Sequence, residues 1–184
     1  GALSDALSGR QGAFRSHEAN VWGAETDVQA ISQWLSRYQG QTRRDYTRIA
    51  ERFYLWCIHV RRKALSSLQE PDLQAYQAFL AAPPADWVQE RKVRREDASW
   101  RPFRGPLGRN SQRHEFTVLG SMFSAMHEKG YLRANAMANL GRTLGRTTQQ
   151  QHLRADVRQD QWRLHHLPCR RIREDLGQGT GELE

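Results

Sequence analysis

Apolar residues recur every three or four positions in four separate stretches of this chain, and nowhere is there convincing period-two alternation. The first stretch starts at Thr26 or Asp27, places Ile31, Trp34, Leu35 and Tyr38 on one face, and stops at Gly40. The second is the clearest, with Tyr46, Ile49, Ala50, Phe53, Cys57 and Val60 in one wide stripe. Thr42 is placed to cap it, and Asp45 three residues on fills the acidic slot of a capping box. Arg44, Arg48, Arg52, His59 and Arg62 fall on the opposite face.

A shorter third helix opens at Pro71, buries Leu73, Tyr76, Phe79 and Leu80, and ends at Pro83-Pro84. The fourth, capped by Asn110 or Ser111, turns Phe116, Leu119, Met122, Phe123 and Met126 inward and stops at Gly130. Tyr131 and Leu132 then fold back onto the bundle, and a short fifth helix is predicted over 136–144. The pattern predicts an all-α bundle of four to five helices.

The intervals have their own character. Residues 1–25 are rich in Gly, Ala and Ser and predict a flexible leader with at most one helical turn. Residues 26–145 form the expected domain, and the Gln-, Arg- and His-rich stretch 146–184 a polar tail. Between the third and fourth helices, Ala85 to Asn110 has no clean period, and a loop this long is usually functional or disordered.

Charge changes the picture most in that loop. From Val88 to Arg113 there are eight basic residues against three acidic, with Trp100 and Phe103 set among them. Across all 184 residues the net charge is +8, and 25 of the 28 basic residues are arginine. A guanidinium offers a planar fork to phosphate oxygens and guanine edges, although a GC-rich coding sequence produces the same bias. Mean hydropathy is −0.82, low for a chain compact throughout.

Cys57 and Cys169 are distant and form no CxxC, so Cys57 is expected as a buried free thiol in a reducing compartment. No signal peptide opens the chain, and the longest apolar run, Phe53 to Ile58, is too short to span a bilayer. A cytoplasmic location and no membrane partner are the expectations. His152, His165, His166 and Cys169 fit no standard zinc spacing, so no metal or cofactor is expected.

Several ordered motifs stand out: Thr42-Arg43-Arg44-Asp45-Tyr46, then Phe53 and Trp56, then Leu65, Leu68, Asp72, Tyr76 and Phe79-Leu80. WRPF-x-GPL follows at Trp100 to Leu107, then Ser111, and GYL at Gly130 to Leu132. Over roughly Asp27 to Leu140 this set resembles the N-terminal core-binding region of tyrosine recombinases, the phage-type integrases. The resemblance implies a SAM-like helical bundle forming half of a clamp around double-stranded DNA, with other recombinase protomers joining on the DNA.

In that family a separate C-terminal domain carries the Arg, Lys, His and Tyr of strand cleavage. Here Thr180-Gly181-Glu182-Leu183-Glu184 only echoes its first box, without the arginine, and the last tyrosine is Tyr131. Cleavage needs cations converging on the scissile phosphate and an acid for the leaving oxygen. The chain alone is therefore expected to be inactive, a fragment or truncated product of a recombinase, with 146–184 a linker and a remnant or the start of the catalytic domain.

The resemblance also implies that the second and fourth helices line the duplex. It nominates Arg43, Arg44, Arg48 and Arg52 on the second, and Arg109, Ser111, Arg113, His114 and Thr117 at the start of the fourth. Free backbone N–H groups and the helix dipole favour phosphate at that second location. Arg101 and Arg104 are the loop's phosphate candidates, with Trp100 and Phe103 as packing anchors in preference to base-stacking rings. Arg44, Arg48 and Arg52 equally fit a solvated face with partners such as Glu51. A helical protein-interaction module with a basic face for an acidic partner is the alternative function.

Overall fold

The computed structural model describes residues 3–138 and 140. The tail from 146 onward and most of the helix predicted over 136–144 lie outside them, as do His152, His165, His166 and Cys169. Among the described residues five α-helices follow one another: α1 (Asp5–Ser8), α2 (Asp27–Leu35), α3 (Gly40–Trp56), α4 (Glu70–Ala81) and α5 (Arg109–Glu128). The described residues form no sheet, only isolated bridges pairing Arg15 with Leu132 and Val88 with Phe103. The fold is an all-α bundle.

Local chemistry explains most of the boundaries. The Thr26 side chain accepts the Gln29 N–H and caps α2. Gln69 and Asp72 cap α4 reciprocally, with Pro71 in the first turn. Gly130, at φ 78°, takes the left-handed position after α5, and both Tyr131 N–H and Leu132 N–H return to the Met126 carbonyl.

Two predicted caps are corrected. α3 begins at Gly40, after an extended Gln39, so the chain is already helical at Thr42 and no capping box forms there. Asp45 instead accepts a hydrogen bond from Gln41 at 2.9 Å. Gly40 opens α3, while α2 has already ended at Leu35. At α5 the cap is Gly108, which leaves Asn110 and Ser111 inside the first turn.

Helix α3 is the central strut. Every residue from Ile49 to Ile58 is buried, beyond what a single stripe implies. It widens into a π-helical turn, Cys57–Arg61, that ends at Arg62 in the left-handed region, φ 52°. Val60, assigned to the apolar stripe, is 43% exposed on that turn, whereas Arg52, assigned to the polar face, is 7% exposed. Cys57 is a buried free thiol, and burial pushes its pKa up.

Rings bridge the helices. Phe53 packs edge-on against Phe123 of α5 and Tyr76 of α4, and Trp56 reaches Phe79. Phe79 in turn meets Trp87 and Phe103, at 5.2 and 5.6 Å between centroids. Such pairs add about 0.5–1.5 kcal/mol each to the burial of their area. The chain of rings joins the bundle to both ends of the long loop.

The expected flexible leader is a packed strap. Leu3, Leu7, Phe14 and Trp22 lie against the core. Phe14 N–H donates to the Ser66 carbonyl, Ser16 N–H to Tyr131, and Arg133 N–H returns to Phe14. Beneath the strap Asp27 is fully buried, accepting from Ser66 N–H at 3.1 Å and the Tyr131 hydroxyl at 2.5 Å. Gly9 covers it at φ 85°, where a Cβ would stand 2.1 Å from an Asp27 oxygen.

Candidate nucleic-acid interface

The loop from Ala82 to Gly108 is built in two storeys. At its root a short helical turn, Ala85–Trp87, buries Trp87, and Phe103 comes back beside it, fully buried. Phe103 N–H donates to the Trp87 carbonyl at 3.1 Å and Gln89 N–H to the Phe103 carbonyl at 2.7 Å. Leu107 N–H ties the loop's end to the Leu80 carbonyl of α4. Phe103 is thus the packing anchor expected of it; Trp100 is half-buried, with Arg95 above its ring at 5.5 Å.

The outer storey, residues 90–100, is pinned by charge. Arg95 forms an ion pair with Glu51, a carboxylate buried in the side of α3. Next to it Arg52 pairs with Glu115 of α5, and its guanidinium lies 4.7 Å over the Phe103 ring. The Tyr76 hydroxyl donates to Glu115 at 3.4 Å, so one carboxylate ties α3, α4 and α5 together. Burial raises the Tyr76 pKa and keeps the hydroxyl protonated for that donation. Burial, with Arg48 nearby, lowers the Arg52 pKa while Tyr76 opposes the shift; a guanidinium starts so high that Arg52 stays charged.

Between this pinned loop, the middle of α3 and the start of α5 runs an open cleft of about 1030 Å³. Seven basic side chains line it, Arg48, Arg52, Arg91, Lys92, Arg95, Arg101 and Arg104, against the two acidic Glu90 and Glu115. Asn110, Ser111 and His114 of α5 complete the wall. Arg52 and Arg95 are committed to buried carboxylates. Arg48, Arg91, Lys92 and Arg104 are exposed and give the cleft its surplus of positive charge.

The residues nominated from sequence divide accordingly. Arg48, Arg101, Arg104, Ser111 and His114 come together around the cleft. Arg48 also stands 3.8 Å from Asp45, in a loose exposed pair. Arg101 spends one nitrogen on the Ala98 and Trp100 carbonyls, holding the loop's own turn. Arg52 is corrected from a surface contact to a buried structural cation. Arg43 donates to the Leu35 carbonyl at 3.0 Å and completes the end of α2. Arg44 holds Gln41 and, like Arg109, Arg113 and Thr117, is exposed outside the cleft lining.

Sequence reasoning missed Arg91 and Lys92 as lining residues, and Glu51 and Glu115 as the buried partners of Arg95 and Arg52. The acids were findable: Glu51, Leu55 and Ile58 share one helical face, as do Glu115, Leu119, Met122 and Met126, so each acid sits on an apolar stripe. Among the described residues no group of three His, Cys, Asp or Glu is placed to hold a metal ion. No helix among them is long and apolar enough to cross a membrane. No protein-family model, curated protein or solved structure matches the chain.

Proposed function

We propose that the chain is a duplex-DNA-binding domain, the core-binding half of a tyrosine recombinase clamp, and that it performs no strand chemistry itself. One observation carries this reading: a cleft with seven basic and two acidic side chains, assembled from α3, α5 and a loop locked between them. An open groove rimmed by exposed cations over a buried, ion-paired floor suits a polyanion of regular shape. Arginines there neutralise phosphates and set the register of the protein on the duplex without reading bases. The motif order around WRPF-x-GPL supports the recombinase assignment, and catalysis would belong to a separate domain on the other side of the duplex.

Fluorescence anisotropy with a labelled duplex tests this directly. Binding should weaken steeply with salt, by about 0.9 log units per log salt for each phosphate neutralised. Arg48→Ala and Arg104→Ala should each take about one such unit from the slope, whereas Arg44→Ala, outside the cleft, should take less. A flat salt dependence overturns the proposal. Capture of an acidic protein that survives nuclease treatment, with no duplex binding, would favour the interaction-module alternative.

A further inference from the structure

Glu51 is a buried acid beside a cleft whose surplus charge is positive. By charge alone, it should oppose a polyanion. Its geometry argues the reverse. Glu51 sits on the rigid, wholly buried part of α3, and its ion-pair partner Arg95 is at the centre of the outer storey of the loop. The storey's own hydrogen bonds are mostly local turns: Asp97 N–H to the Arg94 carbonyl, Trp100 N–H to the Asp97 carbonyl, and the Ser99 N–H and hydroxyl to the Asp97 carboxylate. The root at Trp87 and Phe103, the Gln89 side chain bonded to the Ser99 carbonyl and the Arg101 N–H, and Trp100 against the core secure its two ends, and the Glu51–Arg95 ion pair ties its middle to α3. Arg91 and Lys92, a few residues before Arg95, line the cleft.

We infer that Glu51 is a positioning residue for polyanion binding: through Arg95 it holds the 90–100 segment so that Arg91 and Lys92 face the cleft. This role rests on the duplex-DNA reading of the cleft. It makes a prediction of unusual sign. Replacing an acid by a neutral residue in a DNA-binding protein ordinarily tightens binding, because the field becomes more positive. Glu51→Gln should instead weaken it.

The experiment uses the full chain and a labelled duplex, with melting followed by circular dichroism. E51Q is expected to bind roughly tenfold more weakly while remaining folded, with a salt slope smaller by about two phosphate equivalents as Arg91 and Lys92 disengage. Without DNA, trypsin should cut after Arg91, Lys92 and Arg94 faster in E51Q than in the parent chain, which reads the released segment directly. Binding by E51Q equal to or tighter than the parent, with unchanged cleavage, overturns the inference and leaves the DNA reading intact. A parent chain that does not bind duplex removes the DNA reading, and the cleavage comparison still decides whether Glu51 holds the segment. Should E51Q fail to fold, Arg95→Gln and Arg94→Gln replace it. Both lose one charge from neighbouring positions, but only R95Q breaks the tie. Faster cleavage after Arg91 and Lys92, the sites both variants keep, in R95Q than in R94Q supports the inference, and equal cleavage of the two overturns it.

Discussion

Two parts of this bundle bury carboxylates under a crossing segment of chain, and they do so with opposite chemistry. Under the N-terminal strap, Asp27 is met by neutral donors, the Ser66 N–H and the Tyr131 hydroxyl. The nearby Arg15 guanidinium spends itself on the Gly9 and Glu25 carbonyls and lies 4.1 Å over the Tyr131 ring. Burial therefore dominates, and the Asp27 pKa is raised despite those hydrogen bonds. Under the basic loop, Glu51 and Glu115 are met directly by guanidinium groups. The strap closes a seam in which each charge is absorbed locally. The loop closes over paired acids and leaves further cations facing outward, which is what a binding surface requires and a seam does not.

The sharpest way to break this contrast is at the loop's floor. Arg52→Met should cost about 3–5 kcal/mol in urea denaturation, because it strands Glu115 without its cation in the core. On the other side, Gly9→Ala should cost about 2–4 kcal/mol, from a left-handed backbone and a methyl driven into the Asp27 carboxylate. Its folded fraction should keep the parent's salt slope for duplex, since the strap lines no part of the cleft.

Acid titration separates the two kinds of carboxylate more finely. For Asp27 the folded pKa lies above the unfolded one, so its stabilising contribution is present at low pH and fades as pH rises from about 3.9 through the raised value. Asp72 has the opposite sign. Burial alone would raise it, but the Gln69 N–H, Lys63 and Arg61 outweigh burial and hold it below the usual range. Its contribution is complete above the ordinary carboxylate pKa and is lost as pH falls through the lowered value. Urea melts across the acid range should show the parent losing ground to Asp27→Asn with rising pH and gaining on Asp72→Asn. The smallest effect on stability belongs to the cleft rim: Arg104→Ala should stay within about 0.5 kcal/mol of the parent in denaturation.

Much of the bundle was legible in the order of its apolar residues. Periodicity located α2 to α5, and Thr26, Pro71 and Gly130 marked true boundaries because each acts through its own backbone or side chain. What failed depended on distant partners. The Gly-, Ala- and Ser-rich leader carries Leu3, Leu7, Phe14 and Trp22 without a helical period, so its apolar residues did not announce an element. It is ordered by bonds to Ser66, Tyr131 and Arg133, which no local pattern reveals. Arg52 was misplaced because a stripe drawn through Cys57 and Val60 ran on into a π-helical turn; the spacing Ile49, Arg52, Trp56 follows the buried face instead. In the loop, net charge identified the segment but could not say that Arg95 would be spent on an acid, since its partner Glu51 lies on α3.

The paired bonds between Phe14 to Ser16 and Tyr131 to Arg133 have a mechanical consequence. They clasp the strap to the segment that follows α5, so neither can lift from the bundle without breaking the bonds of the other. None of the residues in this clasp lines the groove between α3, α5 and the loop, so loosening it leaves the groove's lining untouched.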